Sequence, residues 1–333
     1  MDAKIKNRFG DLILQTMLER YAISPGSISL LDGFESFIYE FSRDGDAFIL
    51  RIGHSLRRSE CLIQAEVDWI NYLAAGGAGV ARAVQSANGR LVESVADGFG
   101  DFFLGTSFVK APGKAPGRAP WTPALYQANG ELLGRMHRLA KTYRPPTPGC
   151  VRPQWDDPIN MYAESLLPAR ETRALTVYME LMKYLRALPR DPQSYGLIHQ
   201  DAHGGNFFVS PEGAITLFDF DDCCYGHFSY DIAMVIFYHA LQYRQDQDFL
   251  RRFFREFFSG YARENRLDPS WLATIPAFLK LREIDLYAVL LHTFPDESDY
   301  DDWIRWYMTG RKASVDANAA VIEYDWPSLA EFL

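Results

Sequence analysis

Cysteine is scarce. Four occur in 333 residues, Cys61, Cys150, Cys223 and Cys224. None falls in a C-x-x-C spacing, and the vicinal pair Cys223–Cys224 is awkward for an ordinary bridge, so reduced thiols are predicted. Positive charge is also short, with 34 Lys and Arg against 43 Asp and Glu and a net charge of −9. That balance excludes a general grip on nucleic-acid backbone, which needs a basic face. It leaves room for a small polyphosphate, which a few local basic residues and a divalent cation can hold. No run approaches the roughly 20 apolar residues that cross a bilayer, and the opening MDAKIKNRFGDLILQ has no apolar signal core. A cytoplasmic protein without membrane or nucleic-acid partners is therefore expected, as monomer or homodimer.

What is present is core material: hydrophobic residues make up 48 % and aromatics 14 %. A chain of this length suits two lobes better than one core. Residues 7–22 carry apolar side chains at helical spacing, ended by SPG. FIYEF and AFILRI flank Asp44-Gly45, a hairpin signal. Residues 57–75 read as a helix ended by GGAG, and 80–109 as further strands ending in FFLGTSFV. The first ~108 residues thus combine an antiparallel sheet with one main helix, and a five-stranded sheet is the architecture expected. Pro112, Gly113, Pro116, Gly117 and Pro120 cannot lie in a helix or central strand. Beyond them helices are predicted within 122–141 and at 170–187, 246–264, 271–294 and 301–322. One small hairpin interrupts them, around SPEG at 210–213.

That interruption carries the chemistry. In HQDAHGGNFFV and ITLFDFD, Asp201 and Asn206 lie on the loop entering the hairpin and Asp219 at its exit. Pairing of the two strands would bring an acid able to orient a hydroxyl beside an acid and an amide able to hold a metal. Magnesium takes oxygen ligands, usually one or two from the protein, and phosphoryl transfer asks the protein mainly for positioning and charge neutralisation.

The pattern H-x-D-x-x-x-x-N, then strand, turn and Asp-Phe-Asp, resembles the aminoglycoside phosphotransferase and choline kinase family, relatives of the protein kinases. The resemblance implies a bilobal, protein-kinase-like α+β fold: a nucleotide-binding lobe at 1–107, a crossover at 108–120 and a helical catalytic and substrate lobe at 121–333. It implies that Asp201 is the catalytic acid, that His199 supports its loop, and that Asn206 and Asp219 bind Mg2+. YDIAM at 230–234 matches a helix start whose Asp231 ties the loop in place. LLDGFESFIYEF resembles the phosphate-covering hairpin, with Gly33 and Ser36 where backbone approaches phosphate. FILRIG places Arg51 where protein kinases have lysine, with Glu66 as its helix partner; SFVKAPGK puts Phe108 and Val109 along the base. The implied cofactors are ATP or GTP with Mg2+.

Other residues stay open. Gln200 stands where the family usually has glycine. Asp221 either assists the metal or caps the next loop. His203 and His137 are read as structural, and Cys223 and Cys224 as unreactive small residues. The acidic and aromatic segment 292–307, like Asp156 and Asp157, either suits a cationic amine or caps helices. The predicted activity is a phosphotransferase acting on a small, amine-bearing metabolite or antibiotic. The alternatives are a stress-response-type protein Ser/Thr kinase and a non-catalytic nucleotide-binding module.

Overall fold

A computed structural model describes residues 2–31, 33 and 35–333. In chain order the elements are Ala3–Arg8 (α1), Asp11–Arg20 (α2), Ile28–Leu31 (β1), Phe37–Arg43 (β2), Asp46–His54 (β3), Glu60–Ala75 (α3), Ala83–Val84 (β4), Val92–Ala96 (β5) and Phe102–Val109 (β6). Then come Pro123–Ala140 (α4), Tyr162–Leu166 (α5), Thr172–Arg186 (α6), Tyr195–Ile198 (β7), Phe207–Val209 (β8), Ile215–Leu217 (β9) and Cys224–His227 (β10). The chain ends with Phe228–Gln242 (α7), Gln247–Ala262 (α8), Ile275–Thr293 (α9), Asp302–Met308 (α10) and Arg311–Asp316 (α11). The α+β class is the one predicted. No helix among the described residues is long and apolar enough to cross a membrane.

The chain forms two compact units. The first gathers residues up to Lys114 with Tyr143–Arg152 and Phe207–Asp221. Its sheet runs β1-β2-β3-β6-β4, with β5 also paired to β6, all antiparallel. Six strands stand where five were predicted, because the two-residue β4 is too short to show alternation. The helix expected over 7–22 breaks at Phe9–Gly10: Gly10 is extended and caps α2, while the Phe9 ring stacks on Phe37 at 3.8 Å. Met17, Tyr21, Phe41, Leu50, Ile52 and Phe103 form the core of this unit. Each such side chain contributes about 1.5–3 kcal/mol on burial. Ser59 caps α3 by accepting from Leu62 N–H at 3.3 Å. The hairpin predicted around SPEG forms here, with Phe207 opposite Leu217.

One expectation is corrected in this unit. Cys61 and Cys150 are not thiols but a disulfide, Cα–Cα 4.9 Å apart. The partners are 89 residues apart in sequence, so no local spacing announces them; they meet because 143–152 returns against α3. Thr147 Oγ1 donates to Asp68 at 2.7 Å, and Arg152 donates to the Leu62 carbonyl at 3.0 Å, both along the same seam. Cys223 and Cys224 are buried and not disulfide-bonded, in line with the vicinal pair being awkward to bridge.

The second unit comprises Ala115–Thr142, Pro153–Asn206 and Asp222–Leu333. Helices α4 and α8 cross backbone against backbone. A Cβ added at Gly130 would lie 2.0 Å from the Phe257 carbonyl, and one at Gly260 would lie 2.1 Å from that of Gln127. Only glycine permits this approach. Helix α7 is buried over nearly its whole length, as a helix apolar on all sides must be, and α9 packs on it. The pair β7–β10 was not predicted, since four-residue strands among helices leave no readable period. The helix expected over 301–322 divides at Gly310, whose φ of 69° separates α10 from α11.

Candidate functional site

In the first unit the basic residue of β3 is fixed by opposite charge. Arg51 Nη1 and Nη2 donate to the two Glu66 oxygens, each at 2.8 Å. Nε donates to Thr106 Oγ1 at 3.3 Å, and the guanidinium lies 5.1 Å over the Phe108 ring. Glu66 is fully buried on α3. Burial opposes the Arg51 charge, but Glu66, with Asp221 and Asp219, outweighs it and holds the group charged well above its ordinary value. This fork-to-carboxylate geometry is what arginine achieves and lysine cannot. Val109 sits at the end of β6, its N–H donating to the Arg82 carbonyl at 3.0 Å.

The same unit places Gly33 where a Cβ would lie 2.2 Å from the Ser36 carbonyl oxygen. The turn between β1 and β2 is therefore closed to any larger residue. Asp32 and Phe34, in the quoted hairpin motif, lie outside the described residues. Past β9, Asp219 adopts φ 65°, a left-handed conformation uncommon outside glycine. Asp221 pairs with Arg57 at 2.5 Å and Arg58 at 3.4 Å, and its carbonyl accepts from Arg152 at 2.5 Å. Burial would raise its pKa, yet Arg57, Arg51, Arg58 and Arg152 hold it below the usual carboxylate range. Arg57 also pairs with Glu35. Neither arginine was singled out in the sequence, where RR at 57–58 falls at the start of the helix read over 57–75.

In the second unit the catalytic-loop motif is braced from behind. Asp231, fully buried at the start of α7, accepts from the backbone N–H of His199 at 3.2 Å and of Gln200 at 2.8 Å. His137 Nε2 lies 3.1 Å from its Oδ2, and Nδ1 lies 2.8 Å from Tyr261 Oη. Burial opposes the Asp231 charge; His137 and the Gln200 N–H outweigh it and hold its pKa low. Burial in turn lowers the His137 pKa despite Asp231. His137 is thus the structural histidine expected, and Asp231 the tie.

Gln200 takes φ 71°, so the family's usual glycine stood at a backbone position that favours it. Here the strain is offset by side-chain bonds: Nε2 donates to Tyr230 Oη at 3.1 Å, and Oε1 accepts from Cys224 Sγ at 3.3 Å. His199 is buried, and its Nδ1 accepts from Asp201 N–H at 3.2 Å.

Asp201 itself is part-exposed. Asn206 Nδ2 donates to its backbone carbonyl at 2.8 Å and to Oδ2 at 3.2 Å. His203 Nε2 is 3.5 Å from Oδ2. Arg282 Nη2 donates to Oδ1 at 2.7 Å and to Tyr238 Oη at 2.6 Å. Arg282 went unnoticed in the sequence. Its signal was there: KLREID, four charges in six residues, inside the otherwise apolar IPAFLKLREIDLYAVLL.

With its Nδ2 engaged by Asp201, Asn206 in the second unit keeps a carbonyl oxygen, and Asp219 in the first unit carries a carboxylate; both are ligand types that magnesium accepts. Among the described residues no group of three or more His, Cys, Asp and Glu is placed to hold a metal. Four of the other candidate acids make local structural contacts. Asp296 caps Ser298 N–H and Asp301 caps Ile304 N–H. Asp156 pairs with Arg190, and Asp157 accepts from Gln154 N–H. Of the aromatics in that segment, Trp303 stacks on Tyr307 and lies 6.4 Å from the Tyr238 ring.

Residues 28–267 match the family described as "Phosphotransferase enzyme family". The amicoumacin kinase of Bacillus subtilis (strain 168) is 34 % identical over 321 residues, 95 % of each chain. A solved amicoumacin kinase, in complex with AMP-PNP, Ca2+ and Ami, has a TM-score of 0.92 and 34 % identity over 99 % of this chain and 100 % of that one. A microcompartment-associated aminopropanol kinase shares the fold at a TM-score of 0.72 and 23 % identity, over 92 % of this chain and 95 % of its own.

Proposed function

The chain belongs to the phosphotransferase enzyme family and is a small-molecule kinase; from that premise we propose that it moves the γ-phosphate of ATP, or GTP, to a hydroxyl of an amine-bearing antibiotic or metabolite, with Mg2+. The observation that carries this reading is the Asp201 carboxylate, part-exposed and fixed by Asn206 and Arg282 on a loop tied to Asp231. Amicoumacin is the first acceptor to test, because the similarity to an amicoumacin kinase runs through 95 % of both chains.

In this reading residues 1–107 take the nucleotide with the crossover 108–120, and 121–333 supply catalysis and the acceptor site. Arg51, aligned by Glu66, binds the α- and β-phosphates. Phe108 and Val109 border the base, and the turn at Gly33 and Ser36 covers the phosphates and excludes water. Asn206 and Asp219 would hold a magnesium ion, which when bound would supply charge neutralisation on the phosphates. Asp201 accepts the proton of the acceptor hydroxyl as its oxygen bonds to the γ-phosphorus. The bond from that phosphorus to the bridging oxygen breaks, and the nucleoside diphosphate carries the electron pair away. His199 keeps the loop in register.

The test is transfer of labelled γ-phosphate to amicoumacin with Mg2+, followed by separation of small molecules from protein. Label on the antibiotic, lost about 10³-fold in Asp201→Asn with nucleotide binding retained, is the expected result. Label on protein overturns the acceptor class; undiminished turnover by Asp201→Asn overturns the catalytic assignment.

A further inference from the structure

We infer that Arg282 is a positioning residue for the reaction: it fixes the Asp201 carboxylate in one orientation while leaving room for the acceptor hydroxyl. This rests on the reading of Asp201 above. An ionised carboxylate has about four lone-pair positions. Arg282 takes one on Oδ1 at 2.7 Å and Asn206 one on Oδ2 at 3.2 Å. His203 Nε2 lies 3.5 Å from Oδ2 as well, so it is Oδ1 that keeps a position where an acceptor O–H can bind without displacing Arg282 or Asn206.

The guanidinium is itself held. Its Nη2 also donates to Tyr238 Oη at 2.6 Å, and its carbon lies 5.6 Å over the Tyr238 ring. The side chain is 21 % exposed, on a helix that packs against α7, which carries Tyr238. An exposed ion pair would be mobile and contribute little. One this enclosed is costly to part, so it persists when the acceptor arrives. The ring of His203 lies 4.9 Å from Tyr238 and closes the same cluster. Tyr238 therefore sets Arg282, Arg282 sets Asp201, and the three form a relay of position rather than of protons.

Steady-state kinetics with amicoumacin, ATP and Mg2+ test this, with thermal melts as a check on folding. Arg282→Ala should lower kcat about 10–100-fold, the size of effect a displaced catalytic group produces, with both KM values within about 3-fold of wild type. Arg282→Lys should recover part of kcat, and added guanidinium ion should rescue the alanine variant but not its double with Asp201→Asn. If Arg282→Ala does not fold, Arg282→Lys and Tyr238→Phe decide, each expected to lose several-fold in kcat. Should wild type pass no phosphate to amicoumacin, the same comparison is read on slow hydrolysis of ATP. Wild-type kcat in every foldable variant overturns the inference. So does an acceptor KM that rises while kcat holds, which would make Arg282 a binding residue. Asp201→Asn, run alongside, separates the two claims: if it is inactive while the Arg282 variants are normal, only the inference fails.

Discussion

The two units anchor their candidate side chains differently, although an ion pair takes part in both. In the first, charge and a covalent bond do it: Arg51 against Glu66, Asp221 against Arg57 and Arg58, and α3 tied by Cys61–Cys150. In the second, Asp201 rides on a loop whose backbone N–H groups end on Asp231, inside apolar helices. A buried charge that loses its partner is left stranded at several kcal/mol. A loop bond exchanges for water at about 0.5–1.5 kcal/mol. Substitution of Glu66 or Asp221 in the first unit should therefore appear in stability, and loss of a bond between the Asp201 loop and Asp231 in turnover before stability.

Glu66→Ala is the severest test of that contrast. It leaves Arg51 buried and unpaired, and should cost about 3–5 kcal/mol in chemical denaturation. A double change, Glu66→Leu with Arg51→Met, should recover most of the stability while nucleotide affinity stays lost. A cost below about 1 kcal/mol for the single change would erase the distinction between the units. Next in size is the disulfide. Reduction, or Cys61→Ser, frees an 89-residue separation and should cost about 2–4 kcal/mol. Amide exchange should then quicken in α3 while α7 keeps its protection; equal loosening of both helices would count against separate bracing.

The second unit does contain one uncompensated acid, and it gives a pH signature. Burial pushes the Asp285 carboxyl up to about 7, against small opposite effects from the Ala163 N–H and Arg282. Below about pH 4 both folded and unfolded forms are neutral. As pH rises toward 7 the unfolded chain ionises at Asp285 and the folded one resists, so this stability is progressively lost. Asp285→Asn keeps an oxygen for the Ala163 N–H and cannot ionise. Relative to wild type it should gain about 2–3 kcal/mol between pH 4.5 and 7. A difference flat with pH would mean the acid is ionised in the fold.

Much of this was legible in the sequence, for physical reasons that differ by element. The hairpin around SPEG and the strands flanking Asp44-Gly45 show because turn chemistry is local. The catalytic loop shows because its chemistry requires particular residue types at short spacing. Cys61–Cys150 and the return of 143–152 against α3 did not show, since contacts at long separation leave no period. Arg282 was missed for the same reason: its partner Asp201 is 81 residues away. Only the cost of burying a charge on an apolar helix pointed to it. The acids at 296 and 301 were legible as either ligands or caps; that each accepts a capping N–H depends on backbone geometry, which sequence does not carry.

Gln200 should show the smallest effect and the finest distinction. Glycine would relieve a left-handed residue, a gain of about 1 kcal/mol. It would also remove the bonds to Tyr230 and Cys224, each contributing about 0.5–1.5 kcal/mol, and the Cys224 thiol is a weak donor. The backbone N–H to Asp231 survives the change. The opposing contributions nearly cancel, so Gln200→Gly should move stability by less than about 1 kcal/mol. Gln200→Ala is the sharper instrument. It keeps the strain and loses the bonds, and should be less stable than the glycine variant by about 1 kcal/mol. Were alanine the more stable, the left-handed backbone at 200 would not be strained, and the glutamine would need another reason to replace glycine there.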